Sequence, residues 1–248
     1  MKRKEKISRQ DKESFAKTIK NTPKPQWTDS YGIHSIKLTE SQNQLRNKII
    51  ENDLVICEGV AGTGKTLGTL YAFVKEYLAD STKKIIIVRT PVQVGADDVG
   101  HLPADLSAKV EFHFESTKKL LETLLNKGKV ETDTGHRLQF KIPNFMLGAT
   151  LDNSLVLVDE GQMLQPLILK MLLERIGENS KVVILGDSSQ LYVNAKGRNA
   201  LRDAIPRFFK DTPQGKVPKY KKVAYHAFDV EDVQRSEFVK TVIRAYST

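Results

Sequence analysis

Four apolar runs stand unbroken by polar residues along the chain: Leu54–Cys57, Ile85–Val88, Leu155–Val158 and Val182–Leu185. A strand with one wet face alternates apolar and polar side chains, whereas these runs fit parallel strands covered on both faces. Between them the period lengthens to that of a helix. Leu67, Leu70, Tyr71, Val74 and Leu78 share one helical face, and Leu167 to Ile176 form a further helical segment. Strands alternating with helices predict an α/β fold, a mostly parallel sheet flanked by crossover helices.

Ahead of the first run, Thr39 is placed to cap a helix carrying Leu45, Ile49 and Ile50, so one domain is expected over residues 36–248. Residues 1–35 read as a basic N-terminal arm: polar, rich in Lys and Ser, and interrupted by Pro23 and Pro25. Such an arm is either a polyanion-binding tail or a plainly solvated one. Residues 127–142, KGKVETDTGHRLQFKI, hold two short polar stretches about Asp133-Thr134-Gly135 and predict a β-hairpin excursion from the sheet.

The 248 residues, 40% hydrophobic, suffice for one sizeable core. Charge changes the picture more. A total of 39 Lys and Arg against 30 Asp and Glu leaves +9, which favours a polyanionic partner, RNA or single-stranded DNA. The single cysteine, Cys57, lies in the first apolar run and reads as a buried small hydrophobe, not a nucleophile. No stretch approaches the roughly 18 apolar residues of a membrane span. MKRKEKISRQ has no apolar segment behind its charge, so no membrane partner and a cytoplasmic setting are expected. The histidines lie far apart in sequence, without the spacing of a zinc site.

The chemistry begins directly after the first run. Gly59-Val60-Ala61-Gly62-Thr63-Gly64-Lys65-Thr66 completes the phosphate-loop pattern G-x-x-x-x-G-K-[ST] between an expected strand and an expected helix. Its glycines let backbone N–H groups turn towards phosphate oxygens at the following helix N-terminus. Lys65 suits the β- and γ-phosphates and Thr66 suits Mg2+, so ATP and Mg2+ are the expected cofactors. The third run ends in Asp159-Glu160, at the carboxyl edge where open α/β sheets bind ligands. Asp159 is suited to hold Mg2+ through water, and Glu160 to orient and deprotonate an attacking water. Gly186-Asp187-Ser188-Ser189-Gln190 follows the fourth run, and the Gln190 amide suits a γ-phosphate sensor. Acids and amide together favour water as phosphoryl acceptor, hence an Mg-dependent ATPase over a small-molecule kinase.

The order of Leu38-Thr39-Glu40-Ser41-Gln42, GVAGTGKT, VRTPVQVG (88–95), LVLVDE (155–160) and GDSSQ (186–190) resembles the nucleotide-binding half of superfamily 1 helicases. More narrowly, the chain resembles the PhoH-like ATPase family. HLPADLSAKV (101–110) is similar to that family's Gly-Phe-Leu-Pro-Gly-Asp-Leu segment, and DVEDVQRS (229–236) to its Asp-Val-Val-Arg-His motif, with His101 and Ser236 as departures. The resemblance implies a RecA-like P-loop NTPase core. It also implies that Gln42 reads the adenine edge, that Arg89 and Thr90 lie near a nucleic-acid backbone, and that Arg235 is an arginine finger.

Superfamily 1 helicases close their ATP site with a second similar domain, and only one set of motifs occurs in this sequence. A homo-oligomer is therefore expected, a hexameric ring in which Arg235 serves a neighbour's site. The lysines and Tyr220 of residues 216–222 suit single-stranded nucleic acid. Two functions stay open: a nucleic-acid-dependent motor, helicase or translocase, and an ATP-regulated nucleic-acid-binding switch that unwinds nothing.

Overall fold

The computed structural model describes residues 31–90, 106–146, 148, 150–188 and 199–246. A six-stranded sheet runs in the order β3-β2-β4-β5-β1-β8, with every neighbouring pair parallel. Its strands are β1 (Leu54–Glu58), β2 (Lys84–Arg89), β3 (Leu138–Lys141), β4 (Ser154–Asp159), β5 (Lys181–Gly186) and β8 (Val223–Ala227). The apolar runs are β1, β2, β4 and β5, the inner strands of that order, which explains their lack of polar alternation.

Successive side chains of each inner strand point to opposite layers. Val55, Cys57, Ile87, Leu157 and Leu185 pack into one core with α1 (Glu40–Glu51), α2 (Lys65–Ala79), α3 (Leu106–Leu124) and α4 (Lys127–Asp133), through residues such as Leu45, Phe73, Leu121 and Val130. Ile56, Val88, Val158 and Ile184 pack into the other core with α5 (Pro166–Leu173) and α6 (Ala200–Phe208), through Leu169, Leu172, Leu201 and Ala204. Full burial of such side chains contributes roughly 1.5–3 kcal/mol each, so the sheet is clamped from both sides. Cys57 is buried within it, and burial pushes its thiol pKa up.

The expected hairpin at 127–142 is corrected. Lys127–Asp133 is helix α4, capped by Asn126, whose side chain accepts from the Lys129 N–H, and anchored by buried Val130. Leu138–Lys141 is the edge strand β3, parallel to β2. The Asp-Thr-Gly turn closes a helix instead of joining two strands, with Gly135 at φ 84. Both uses of glycine share one sequence signature. A hairpin does leave the sheet, but later: β6 (Phe209–Thr212) pairs antiparallel with β7 (Gly215–Pro218).

Two smaller differences concern the first helix and what precedes it. Ile33, expected in the arm, is 2% exposed and belongs to the core, so the folded part includes Tyr31 to Ser35. Residues 1–30 of the arm lie outside the described residues. In α1, Leu45 and Ile49 are buried but Ile50 faces solvent. Last in the chain is α7 (Glu237–Tyr246), which leaves Phe238, Val242 and Tyr246 exposed. Among the described residues no helix is long and apolar enough to cross a membrane.

Candidate active site

The register of the parallel sheet gathers the candidate residues at its carboxyl edge. Arg89 on β2 stands opposite Asp159 on β4, and Glu58 on β1 opposite Gly186 on β5. Beyond Glu58 the chain turns through Gly62 (φ 88) and Gly64 (φ 85) before α2 starts at Lys65. These left-handed conformations are open to glycine and strained for other residues. The resulting cleft of about 330 Å³ is lined by Lys65, Thr66, Arg89, Asp159, Glu160 and Asp187 among others, with Ser116 and Thr117 of α3 forming a wall. Lys65 Nζ donates to the carbonyls of Gly59 and Val60, the latter at 2.8 Å. Burial lowers the Lys65 pKa, while the charges of Glu160, Asp187 and Asp159 pull it up. Thr66 and Asp159 offer oxygen donors to the same cleft, the donor type a hard cation such as Mg2+ takes.

Asp159 is the last residue of β4. Burial raises its carboxyl pKa above the usual range, with the Arg89 charge opposing. Glu160 then adopts a left-handed backbone, φ 53 and ψ 46, which costs a non-glycine residue about 1 kcal/mol. Strain of this kind is held in place by neighbours that fix the side chain. Gln162, 4% exposed, is that neighbour: its Nε2 donates to Glu160 Oε2 at 2.7 Å and its Oε1 accepts from the Asp187 N–H at 3.2 Å. One buried amide thus joins the end of β4 to the end of β5. Sequence reasoning missed Gln162. Its closeness shows at Gly186, where a Cβ would fall 2.3 Å from Gln162 Oε1.

Arg89 is turned into the cleft. Its guanidinium lies 3.8 Å from Asp159 and 3.7 Å from Glu160, and donates to the His113 carbonyl on α3 at 3.0 Å. Two carboxylates outcompete solvent for a cation that stands beside them in the strand register. The next residue, Thr90, has its hydroxyl buried with no hydrogen-bond partner among the described residues.

Gln42 sits under the phosphate loop. It completes a capping box with Thr39, its Oε1 accepting from the Thr39 N–H at 3.1 Å and its own N–H donating to Thr39 Oγ1. Gln42 Nε2 donates to the Thr63 carbonyl at 3.1 Å, and a Cβ on Gly64 would fall 2.1 Å from that nitrogen. The amide therefore braces the loop against α1.

The chain's C-terminal part wraps the other side of the loop. β8 pairs with β1, Tyr225 donates to Glu58 Oε2 at 2.6 Å, and the Phe228 N–H donates to the Glu58 carbonyl at 2.9 Å. Farther on, the Gln234 N–H donates to the Gly62 carbonyl at 2.9 Å. Arg235 follows so closely that a Cβ on Gly62 would lie 2.9 Å from its Cγ. Arg235 accordingly packs on the phosphate loop of its own chain. The backbone bond from Gln234 fixes it there.

Gln190, Val92–Gly95 with Pro91, and His101–Asp105 lie outside the described residues. In the basic segment 216–222, Lys216 pairs with Asp211 across the β6–β7 hairpin and Tyr220 is 60% exposed, edge-on to Phe208.

Comparison with known proteins bears on the family and the fold. A PhoH-like protein of Synechocystis is 31% identical over 218 residues, covering 84% of this chain and 61% of its own length. One of Bacillus subtilis is 32% identical over 209 residues, covering 84% and 62%. This chain thus spans about three fifths of the length of those curated relatives. Among solved structures, the ATPase domain of the large terminase of Thermus phage P74-26 superposes with a TM-score of 0.52 at 14% identity, over 87% of this chain and 91% of that one, a likeness of fold. Residues 35–247 match the family described as PhoH-like protein, and with this RecA-like P-loop core the chain belongs to that family.

Proposed function

We propose that the chain is a Mg2+-dependent ATPase whose hydrolysis drives movement on nucleic acid, a motor of the helicase or translocase kind. The observation carrying this reading is the meeting, in one cleft, of a complete phosphate loop with two carboxylates at the end of β4. In the proposed cycle Lys65 leaves the loop carbonyls for the β- and γ-phosphate oxygens, and Thr66 and Asp159 hold the metal. Bound Mg2+ supplies charge neutralisation at those oxygens. Glu160, steadied by Gln162, takes a proton from the attacking water. Arg89 keeps the neighbouring acids from repelling each other. Arg235 meets charge that develops on the transferred phosphoryl group, a contribution worth a thousandfold or more in related chemistry, roughly. The γ-phosphate sensor role stays with Gln190, and Gln42 serves the adenine side through the loop that it braces.

The net charge of +9 supports a polyanionic track. Self-association, with a ring as its proposed form, is supported by the apolar face of α7, exposed directly after Arg235. The first test is ATP turnover with and without single-stranded RNA and DNA. Stimulation by either, lost in Glu160→Gln, is expected, and the absence of stimulation by both would overturn the motor. ATP-dependent changes in nucleic-acid affinity with no strand displacement would favour the binding switch. Light scattering with ATP checks the assembly, and a persistent monomer with full turnover excludes the ring.

A further inference from the structure

A chain of four polar side chains runs outside the cleft, between α1 and the turn that carries Arg235. Lys48 on α1 donates to the Tyr225 carbonyl at 2.8 Å and lies 3.3 Å from His226 Nδ1. His226 Nε2 is 3.3 Å from Ser41 Oγ, and the Ser41 hydroxyl donates to Asp232 Oδ2 at 3.2 Å. The two ends of the chain dictate its direction. An ammonium has only protons to give, so Nδ1 accepts; a carboxylate only accepts, so the Ser41 proton points to Asp232. Ser41 Oγ is then left to accept, and the one tautomer that satisfies every member carries its proton on Nε2. His226 is 3% exposed, with Phe228 packed edge-on to its ring at 4.6 Å between centroids. Burial first, then the Lys48 charge, lowers its pKa to about 4 against the pull of Asp232.

The far end of this chain is the 3-10 turn Val230–Asp232. Asp232 Oδ2 also accepts from the Asp229 N–H at 2.9 Å, so one carboxylate oxygen closes the turn and receives Ser41. Val233, 2% exposed, follows, and then Gln234 bonds the Gly62 carbonyl. Ser41 is the neighbour of Gln42, which braces the loop through the Thr63 carbonyl. A single turn of α1 therefore grips both the loop and the segment that lays Arg235 upon it.

We propose that His226 is a positioning residue: through Ser41 and Asp232 it ties α1 to the 229–235 segment and holds Arg235 on the phosphate loop of its own chain. Packing against Phe228 alone would need no such polar chain. The inference rests on the ATPase reading, and its test separates the two.

A double-mutant cycle measures ATP turnover in wild type, His226→Leu, Ser41→Ala, Arg235→Ala and the two combinations with Arg235→Ala. His226→Leu and Ser41→Ala are each expected to lower kcat about tenfold, with KM within about threefold. Neither should reduce turnover further once Arg235 is gone, because residues acting as a unit are non-additive. His226→Gln, which keeps an acceptor and a donor, should stay within about threefold of wild type. Losses that multiply with that of Arg235→Ala overturn the proposal. Should His226→Leu fail to fold, Ser41→Ala carries the same cycle.

A second readout does not depend on turnover. Nitrogen NMR of histidine-labelled protein near pH 6 should show His226 neutral with its proton on Nε2. A protonated ring or the Nδ1–H tautomer overturns the network. A wild-type chain without ATP turnover would sink the ATPase reading alone, and the cycle is then read on affinity for a fluorescent ATP analogue. Failure to bind that analogue would sink both.

Discussion

Asp159, Glu160 and Asp187 leave strands that are paired on both edges and buried on both faces, whereas Arg235 ends a segment whose strand, β8, is the last in the sheet. The first half of the cleft is held by apolar packing summed over two cores. The second is held by separate polar bonds, among them Ser41 to Asp232 and Gln234 to Gly62, each worth about 1 kcal/mol net. A site built this way has fixed acids and an adjustable arginine. The inner half should yield to loss of its reacting groups, of its core or of the Gln162 amide that joins its two strands, the outer half to loss of any one of its separate hydrogen bonds.

The largest test of that contrast is chemical. Glu160→Gln should cut ATP turnover about a thousandfold while ATP still binds, and Lys65→Ala should weaken binding itself, both read by turnover and fluorescent-nucleotide titration. Lys65→Ala with unaltered affinity would remove the loop from the mechanism. Stability comes next. Leu157→Ala, at a fully buried inner-strand position, should cost about 2–5 kcal/mol in urea unfolding, and Val233→Ala in the outer segment about 1–2 kcal/mol. Equal costs would erase the distinction between the halves.

Gln162→Ala should lower turnover about tenfold with little change in KM, since it frees Glu160 without removing it. A rise in KM with constant kcat would place Gln162 in ground-state binding instead. The last test is of pH on the outer half. His226 titrates at about 4 when folded against 6.5 unfolded, so the unfolded chain holds more protons between those values. Its contribution is complete above pH 6.5 and is lost as pH falls towards about 4, with a slope of at most about 1.4 kcal/mol per pH unit. His226→Gln should flatten that part of the pH–stability curve.

The same contrast decides what could be read from the sequence. Inner strands announce themselves, because burial on both faces forces unbroken apolar runs such as Ile85–Val88. Edge strands β3 (Leu138–Lys141) and β8 (Val223–Ala227) carry no such mark, and from sequence β3 reads as half of a hairpin. The glycine loop and the acid pair are contiguous stretches that strand-to-loop order places at one edge. Partners made by folding were out of reach. Arg89 reads as a rim charge until register sets it across from Asp159, and Gln162 reads as a loop amide until Asp187 and Glu160 close on it. The packing of Arg235 on its own chain's phosphate loop was out of reach because the path of β8 alongside β1 cannot be inferred from an amphipathic terminal helix.

Helix α7 begins two residues beyond Arg235 and presents Phe238, Val242 and Tyr246 to solvent. Whatever settles on that face shares a short stretch of backbone with the arginine on the phosphate loop. Thermodynamic reciprocity then applies: if occupancy of α7 alters how firmly nucleotide is held, nucleotide must alter the grip on α7 by the same factor. Only under that condition would the helix work as a clutch plate, its grip set by what the phosphate loop holds.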